Sequence, residues 1–310
     1  MRPAGGDPPR GRWRSLLRRP SWLTIAITVV ALAGLVTILY PGISSWISQY
    51  NQSRNIIDYA DAVSSETPAH LLEARRLAHE YNAGITGTAV VGAHKNTPSS
   101  TPENPDDRHR LDYDHLLRFD SQGLMGRLQI PGIDLDLPIY HGTSEATLLA
   151  GVGHLEGTAL PVGGEGTRSV LTAHRGLASA TLFTRLDEVG EDDTFTLTVA
   201  GEVLTYRVTK VQVVAPEDTE TLLPKRGKDL VTLITCTPLG VNTHRILVTG
   251  ERVEPTPQDA LDAASHKPDV PRFPWWAVAL GAGLLAIGAY GSTDGLQRPR
   301  AAGARDRAAA

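Results

Sequence analysis

The stretch Thr232–Gly250, "TLITCTPLGVNTHRILVTG", reads as strand, loop, strand. "LVTLIT" ahead of Cys236 and "RILVTG" from Arg245 onward are rich in β-branched and aliphatic residues, and the segment between them carries Pro, Gly and Asn. A hairpin closed there would return Arg245, nine residues beyond Cys236, to the side of the thiol. Cys236 is the only cysteine in 310 residues, so an intramolecular disulfide is impossible and only packing or reactivity can explain it. A cysteine nucleophile needs a cation or base, an accessible position and a donor for the oxyanion that forms on attack. A guanidinium at Arg245 could supply the cation or the donor. Spacing alone leaves the other reading open, a small buried cysteine that packs and does nothing else.

Outward from that hairpin the same texture continues. "RLQIPGIDLDLPIYHG", "RSVLTAH", "DTFTLTVA", "EVLTYRVTKVQVVAP", "DLVTLITCT" and "HRILVTGERV" are short apolar or alternating runs bounded by Gly and Pro. Many short strands with turn residues between them predict a closed barrel or a sandwich. "TLFTRLDEVG" predicts one short helix or turn. His174 ends the strand-like "RSVLTAH", where a histidine is a candidate general acid and base. Upstream, Leu71, Leu72, Ala74, Leu77 and Ala78 approximate a helical period, with Pro68 at a break or in a first turn. From residue 84 the helical pattern dissolves, and "HKNTPSSTPENPDDRHR", residues 94–110, is rich in Pro, Ser, Thr, Asn and Asp with almost no apolar content, so residues 84–112 predict a long loop of lid or linker type. Residues 254–272 read as a polar, Pro-containing tether.

Two charge-free apolar runs lie near the ends. "SWLTIAITVVALAGLVTILY", residues 21–40, would span about 30 Å as a helix, the thickness of a hydrocarbon core. "FPWWAVALGAGLLAIGAY", residues 273–290, has aromatic residues at its ends, where interfacial anchors belong. Residues 1–20 carry a net charge of +5 and residues 291–310 a net of +2, against -4 for the whole chain. The body is therefore acidic, which argues against nucleic acid as a partner. No Ala-x-Ala site lies directly after the first run, and its apolar part is longer than a usual signal core, so an uncleaved anchor is expected rather than a signal peptide. Basic flanks predict both termini in the cytoplasm and residues 41–272 outside a cell membrane crossed twice.

Three segments in order resemble the sortase family. "TLITCTPLGVNTHRILVTG" is similar to the sortase signature Thr-Leu-x-Thr-Cys with an arginine on the next strand. "GVGHLEGTALPVGGEGTRSVLTAHRG", residues 151–176, is similar to the segment ending in the family's histidine, and "LMGRLQIPGIDLDLPIYHGT", residues 124–143, to its opening strands. Thr-Pro after the cysteine, Asn-x-His-Arg before the next strand and a second apolar run near the C-terminus resemble class C, the pilin-polymerising sortases of Gram-positive bacteria.

The resemblance implies a mainly β fold, a closed eight-stranded sortase-type barrel with N-terminal helices, flanked by two transmembrane helices. It implies a cysteine transpeptidase with Cys236 as nucleophile, His174 as acid and base, and Arg245 binding the signal and stabilising the oxyanion. The substrate implied is a pilin or surface protein with a Leu-Pro-x-Thr-Gly-like sorting signal, cleaved between Thr and Gly. The acceptor implied is a lysine amine of a second pilin, and no cofactor or metal is implied. His244 and Thr235 are candidates to line the pocket, while His154 is expected to buttress a loop. Class C lids carry an Asp-Pro-aromatic motif; residues 84–112 hold Asn104-Pro105-Asp106-Asp107 instead. The division expected is a basic tail 1–20, span 21–40, helical segment and lid loop 41–115, catalytic barrel 116–256, linker 257–272, span 273–290 and basic tail 291–310. Two other readings stay open: a cell-wall-anchoring sortase using a peptidoglycan-precursor amine, and a non-enzymatic two-span surface protein with a structural cysteine.

Overall fold

A computed structural model describes residues 21–85, 111–120, 122–216 and 218–294. The first basic tail, residues 295–310 of the second and nearly all of the expected lid loop lie outside the described residues. Eight strands close a barrel in the order β1-β2-β3-β4-β7-β8-β6-β5. They are β1 (Leu124–Ile130), β2 (Leu135–His141), β3 (Val152–His154), β4 (Thr167–Thr172), β5 (Thr194–Val199), β6 (Glu202–Val214), β7 (Asp229–Thr237) and β8 (His244–Val253). The β2–β3 and β4–β7 pairs are parallel and the others antiparallel. Closure removes the unpaired edge that an open sheet of this length would expose.

Alternation along the strands separates two faces. Leu171, Val231, Leu233, Ile246 and Val248 point into the main core with Phe195, Leu197 and Tyr206. Val170, Ile234 and Leu247 point the other way and form a smaller cluster with Leu155 and Leu222. Strand β3 escapes sequence reading: three residues, one of them glycine, carry no pattern, and it exists because β2 and β4 pair with its two edges.

Helix α1 runs unbroken through Trp22–Ser65, with Pro41 inside it. The expected boundary at residue 40 is therefore not a boundary of secondary structure. Residues Ser44–Arg272 form one unit; the chain through Ile43 and from Phe273 forms another. In the first unit Tyr59 joins α1 to the barrel: its hydroxyl donates to Met125 O at 2.9 Å and accepts from Ala200 N at 3.1 Å. Helix α2 (Pro68–Gly84) starts on the Thr67 cap with Pro68 in its first turn, where a missing N–H costs nothing. Asn82 pairs with both backbone groups of Leu160, at 3.1 and 2.6 Å. Ala78 is buried as its periodicity predicts, but Leu72 is exposed.

The expected tether holds a helix, α4 (Gln258–Ser265), which follows the short α3 (Glu145–Ala150) in chain order. Arg127, buried and ion-paired with Asp136 at 2.6 Å, donates to Ala264 O and His266 O. It thereby satisfies carbonyls that a helix end leaves open, and this holds a segment that composition reads as loose. In the second unit, α5 (Trp275–Asp294) and the start of α1 are each long and apolar enough to cross a membrane. They approach closely at Gly283, where a Cβ would lie 2.6 Å from Leu35 Cδ2.

Candidate active site

Register places Cys236 and Arg245 on one level, and β4 leads the chain toward them. Cys236 of β7 faces Arg245 of β8 directly across the antiparallel pair. Directly opposed residues share a face of the sheet, with Cβ atoms roughly 4.5–5.5 Å apart. On the other side of β7, Thr172 is level with Ile234 in the parallel β4–β7 pair, and Ala173 N continues the ladder to Ile234 O at 3.3 Å. His174 follows two residues past the end of β4, the parallel neighbour of the strand that carries Cys236. The thiol is half-buried and free, at the end of a buried strand where the sheet opens to solvent.

Cys236 and Arg245 continue the face of Ile234 and Leu247. Between this face and the β6–β7 connection lies a small open hollow. Val214, Pro216, Leu222, Ile234 and Leu247 give it apolar walls, and Arg245 stands at its edge. The Arg245 guanidinium donates from Nη1 to the carbonyls of Asn242 and His244, both at 3.0 Å, so the loop fixes its base. Asn242 bends that loop with a positive φ of 58°. The hollow is mostly apolar, with Asp218 also in its lining, and Arg245 links it to the strand position that faces Cys236.

His174 is held from several directions. Its carbonyl accepts Phe183 N at 3.1 Å. Its ring nitrogen Nε2 is buried, and Glu145 Oε1 lies 3.3 Å away. Arg175, whose side chain is 6% exposed, pairs with Asp187 at 2.5 Å and donates to Thr184 O and to Thr237 Oγ1 at 3.0 Å. Arg175 thus ties the residue after His174 to the residue after Cys236. Sequence reading misses Arg175 and Glu145, because nothing local distinguishes a buried bridging arginine or a histidine's partner from surface charges.

Thr235 and His244 are not placed to line the hollow. Thr235 is 1% exposed and alternates to the face opposite Cys236, where its hydroxyl donates to Ala173 O at 2.8 Å. It holds the strand end that carries His174. His244 is level with Thr237, one place off the Cys236–Arg245 pair, and is exposed with Nδ1 3.0 Å from Thr243 Oγ1. His154 is fully buried, with Nδ1 2.9 Å from Tyr113 Oη and Nε2 2.8 Å from Ala159 O. Burial lowers its pKa to about 4, so the ring is neutral and structural.

A sortase-domain family model matches residues 128–253. Sortase A of Corynebacterium diphtheriae, solved as a lid mutant, is 44% identical; the match covers 62% of this chain and 98% of that one, with a TM-score of 0.55. The chain belongs to the sortase family. The class C branch is represented among its structural neighbours. Sortase C-1 of Actinomyces oris is 45% identical, with 60% of this chain and 99% of that one covered and a TM-score of 0.53. Sortase C of Streptococcus pneumoniae, solved with attention to pilin substrate specificity, is 38% identical, with 64% and 96% covered and a TM-score of 0.57. The chain spans between 52% and 63% of the length of the curated relatives it matches, which are sortases A and D. The family match includes the strands that carry Cys236 and Arg245 and the segment that carries His174.

Proposed function

We propose that this sortase is a membrane-anchored class C transpeptidase that joins pilin subunits. The observation that supports the reading is the pairing of Cys236 with Arg245 across β7 and β8, with His174 two residues past the end of β4 on the other side of β7, beside a small apolar hollow. Cys236 Sγ attacks the Thr–Gly carbonyl of a Leu-Pro-x-Thr-Gly-like signal. Arg245 donates to the oxygen as it gains charge, and the apolar hollow takes the leucine side chain. His174 protonates the departing glycine amine, which leaves a thioester on Cys236. His174 then removes a proton from an incoming lysine amine, which attacks the thioester and forms an isopeptide bond as the thiol is released. One acyl bond is exchanged for another, so no nucleotide is consumed. The two apolar helices serve as spans, with the basic termini in the cytoplasm and the barrel outside.

The test uses the full chain in detergent with a fluorogenic Leu-Pro-x-Thr-Gly peptide and two acceptors, a pilin-derived lysine peptide and an oligoglycine amine of wall-precursor type. Transfer to the lysine, lost in Cys236→Ala, is expected. Wall anchoring through a peptidoglycan-precursor amine is the alternative, and transfer to oligoglycine alone would establish it over pilin joining. No cleavage, together with a Cys236 that resists alkylation in the native chain, would sink the enzymatic reading.

A further inference from the structure

We infer that Glu145 is a positioning residue for His174, holding its imidazole by the Nε2 side so that Nδ1 is the nitrogen that exchanges protons. The inference rests on the transpeptidase reading for its kinetic consequence, although its geometry does not. Nε2 of His174 is buried and has no hydrogen-bond partner among the described residues. A buried N–H without an acceptor is costly, and so is a buried lone pair without a donor. The carboxylate oxygen Oε1 of Glu145 lies 3.3 Å from it, within ion-pair range but not aligned as a formed hydrogen bond. A small rotation of either side chain would complete that bond, as happens when substrate tightens a loosely arranged site.

The fold places Glu145 there for a reason visible in the chain. Strand β2 ends at His141, Ser144 caps α3 by accepting from Thr147 N at 3.2 Å, and Glu145 is the first residue of the helix. The turn from β2 into β3 therefore delivers a carboxylate to the end of β4, beside the segment carrying His174. A carboxylate in a first turn also suits the helix dipole, so a purely helical role for Glu145 is the competing explanation. That explanation leaves the buried Nε2 without a partner, while the positioning role satisfies it.

The consequence is a division of labour on one ring. With Nε2–H directed at the carboxylate, the neutral ring has its lone pair on Nδ1, ready to accept a proton from the thiol or the incoming amine. The same nitrogen returns the proton to the leaving amine. This is the logic of an acid that orients a catalytic histidine without itself changing protonation. Glu145 is 73% exposed and His174 26%, so the effect is that of a partly solvated pair.

The test is Glu145→Ala in the full chain in detergent, read in two ways. Turnover of the Leu-Pro-x-Thr-Gly peptide should show kcat reduced about fivefold with KM unchanged, since a partly exposed pair is worth about 1 kcal/mol. The second reading is nitrogen NMR of histidine-labelled protein through a pH series, with His174 assigned from its loss in His174→Asn. In the neutral-ring limb the parent should carry its proton on Nε2, and Glu145→Ala should give a tautomer mixture. An unchanged kcat with an unchanged ring spectrum would overturn the inference, as would a change in KM alone. Absence of turnover in the parent would count against the transpeptidase reading only, and the ring spectrum would still decide the role of Glu145.

Discussion

Acid should weaken the barrel through His154 by an amount that follows from its surroundings. The ring is fully buried between Tyr113 and Ala159, and its pKa is lowered from 6.5 to about 4 by loss of hydration. Both nitrogens are engaged: Nε2 faces the Ala159 carbonyl and must donate, while Nδ1 faces the Tyr113 hydroxyl and accepts from it. Protonating the folded ring would bury a charge and reverse the tyrosine bond. The unfolded ring takes up a proton below about pH 6.5, and the folded ring resists until about pH 4. Between those values unfolding binds a proton, so the free energy of unfolding falls as pH falls. A gap of roughly 2.5 at about 1.36 kcal/mol each gives about 3 kcal/mol, of which about 2.5 kcal/mol is lost by pH 4.5. Burial raises Glu156 and Asp229, whose contributions run in the opposite sense. The parent must therefore be compared with a variant that lacks only the histidine. Urea unfolding followed by near-ultraviolet circular dichroism at pH 7.5, 6.5, 5.5 and 4.5, on the parent and on His154→Gln, isolates the difference. The parent should lose about 2.5 kcal/mol more than the variant over that range. Parallel pH dependence in the two proteins would refute the assignment of a buried neutral ring.

Three further outcomes are expected. His174→Ala and Arg245→Ala should each lower the rate of acyl-enzyme formation about 100-fold or more without changing the unfolding midpoint, and Arg245→Lys should not restore it because the planar fork is lost. Arg175→Ala, which strands Asp187 and frees Thr237, should lower stability by about 2 kcal/mol and kcat with it, as calorimetry and turnover would show. Gly250→Ala puts a Cβ 2.5 Å from Phe195 Cε1 and 2.9 Å from Tyr206 Cβ, so thermal unfolding should show a loss of about 1–3 kcal/mol.

Much of the site was legible because it is local. Cys236 and Arg245 lie on the two arms of one hairpin, and strand texture with a turn between them is enough to bring them together. His174 required more. Its segment is strand-like, but its place beside Cys236 depends on a parallel β4–β7 pairing over some sixty residues, which no local pattern encodes. The family resemblance supplies that link. The two pocket candidates fell to strand period: Thr235 and His244 are each one place from a residue that faces the hollow, and a single step along a strand turns the side chain away.

The sequence by itself determined the strand-rich body, the two apolar segments, the hairpin that pairs Cys236 with Arg245, and the family signature. These depend on residue type and short-range period, which the chain carries locally. Only the tertiary structure decided that α1 continues past residue 40, that a helix sits in the tether, that Val152–His154 is a strand, and that Arg175 and Glu145 flank the candidate histidine. Each of these depends on partners distant in the chain. Three residues become a strand when two neighbours offer backbone groups, helix-end carbonyls are satisfied by an arginine from β1, and a carboxylate matters when a turn carries it to a buried nitrogen.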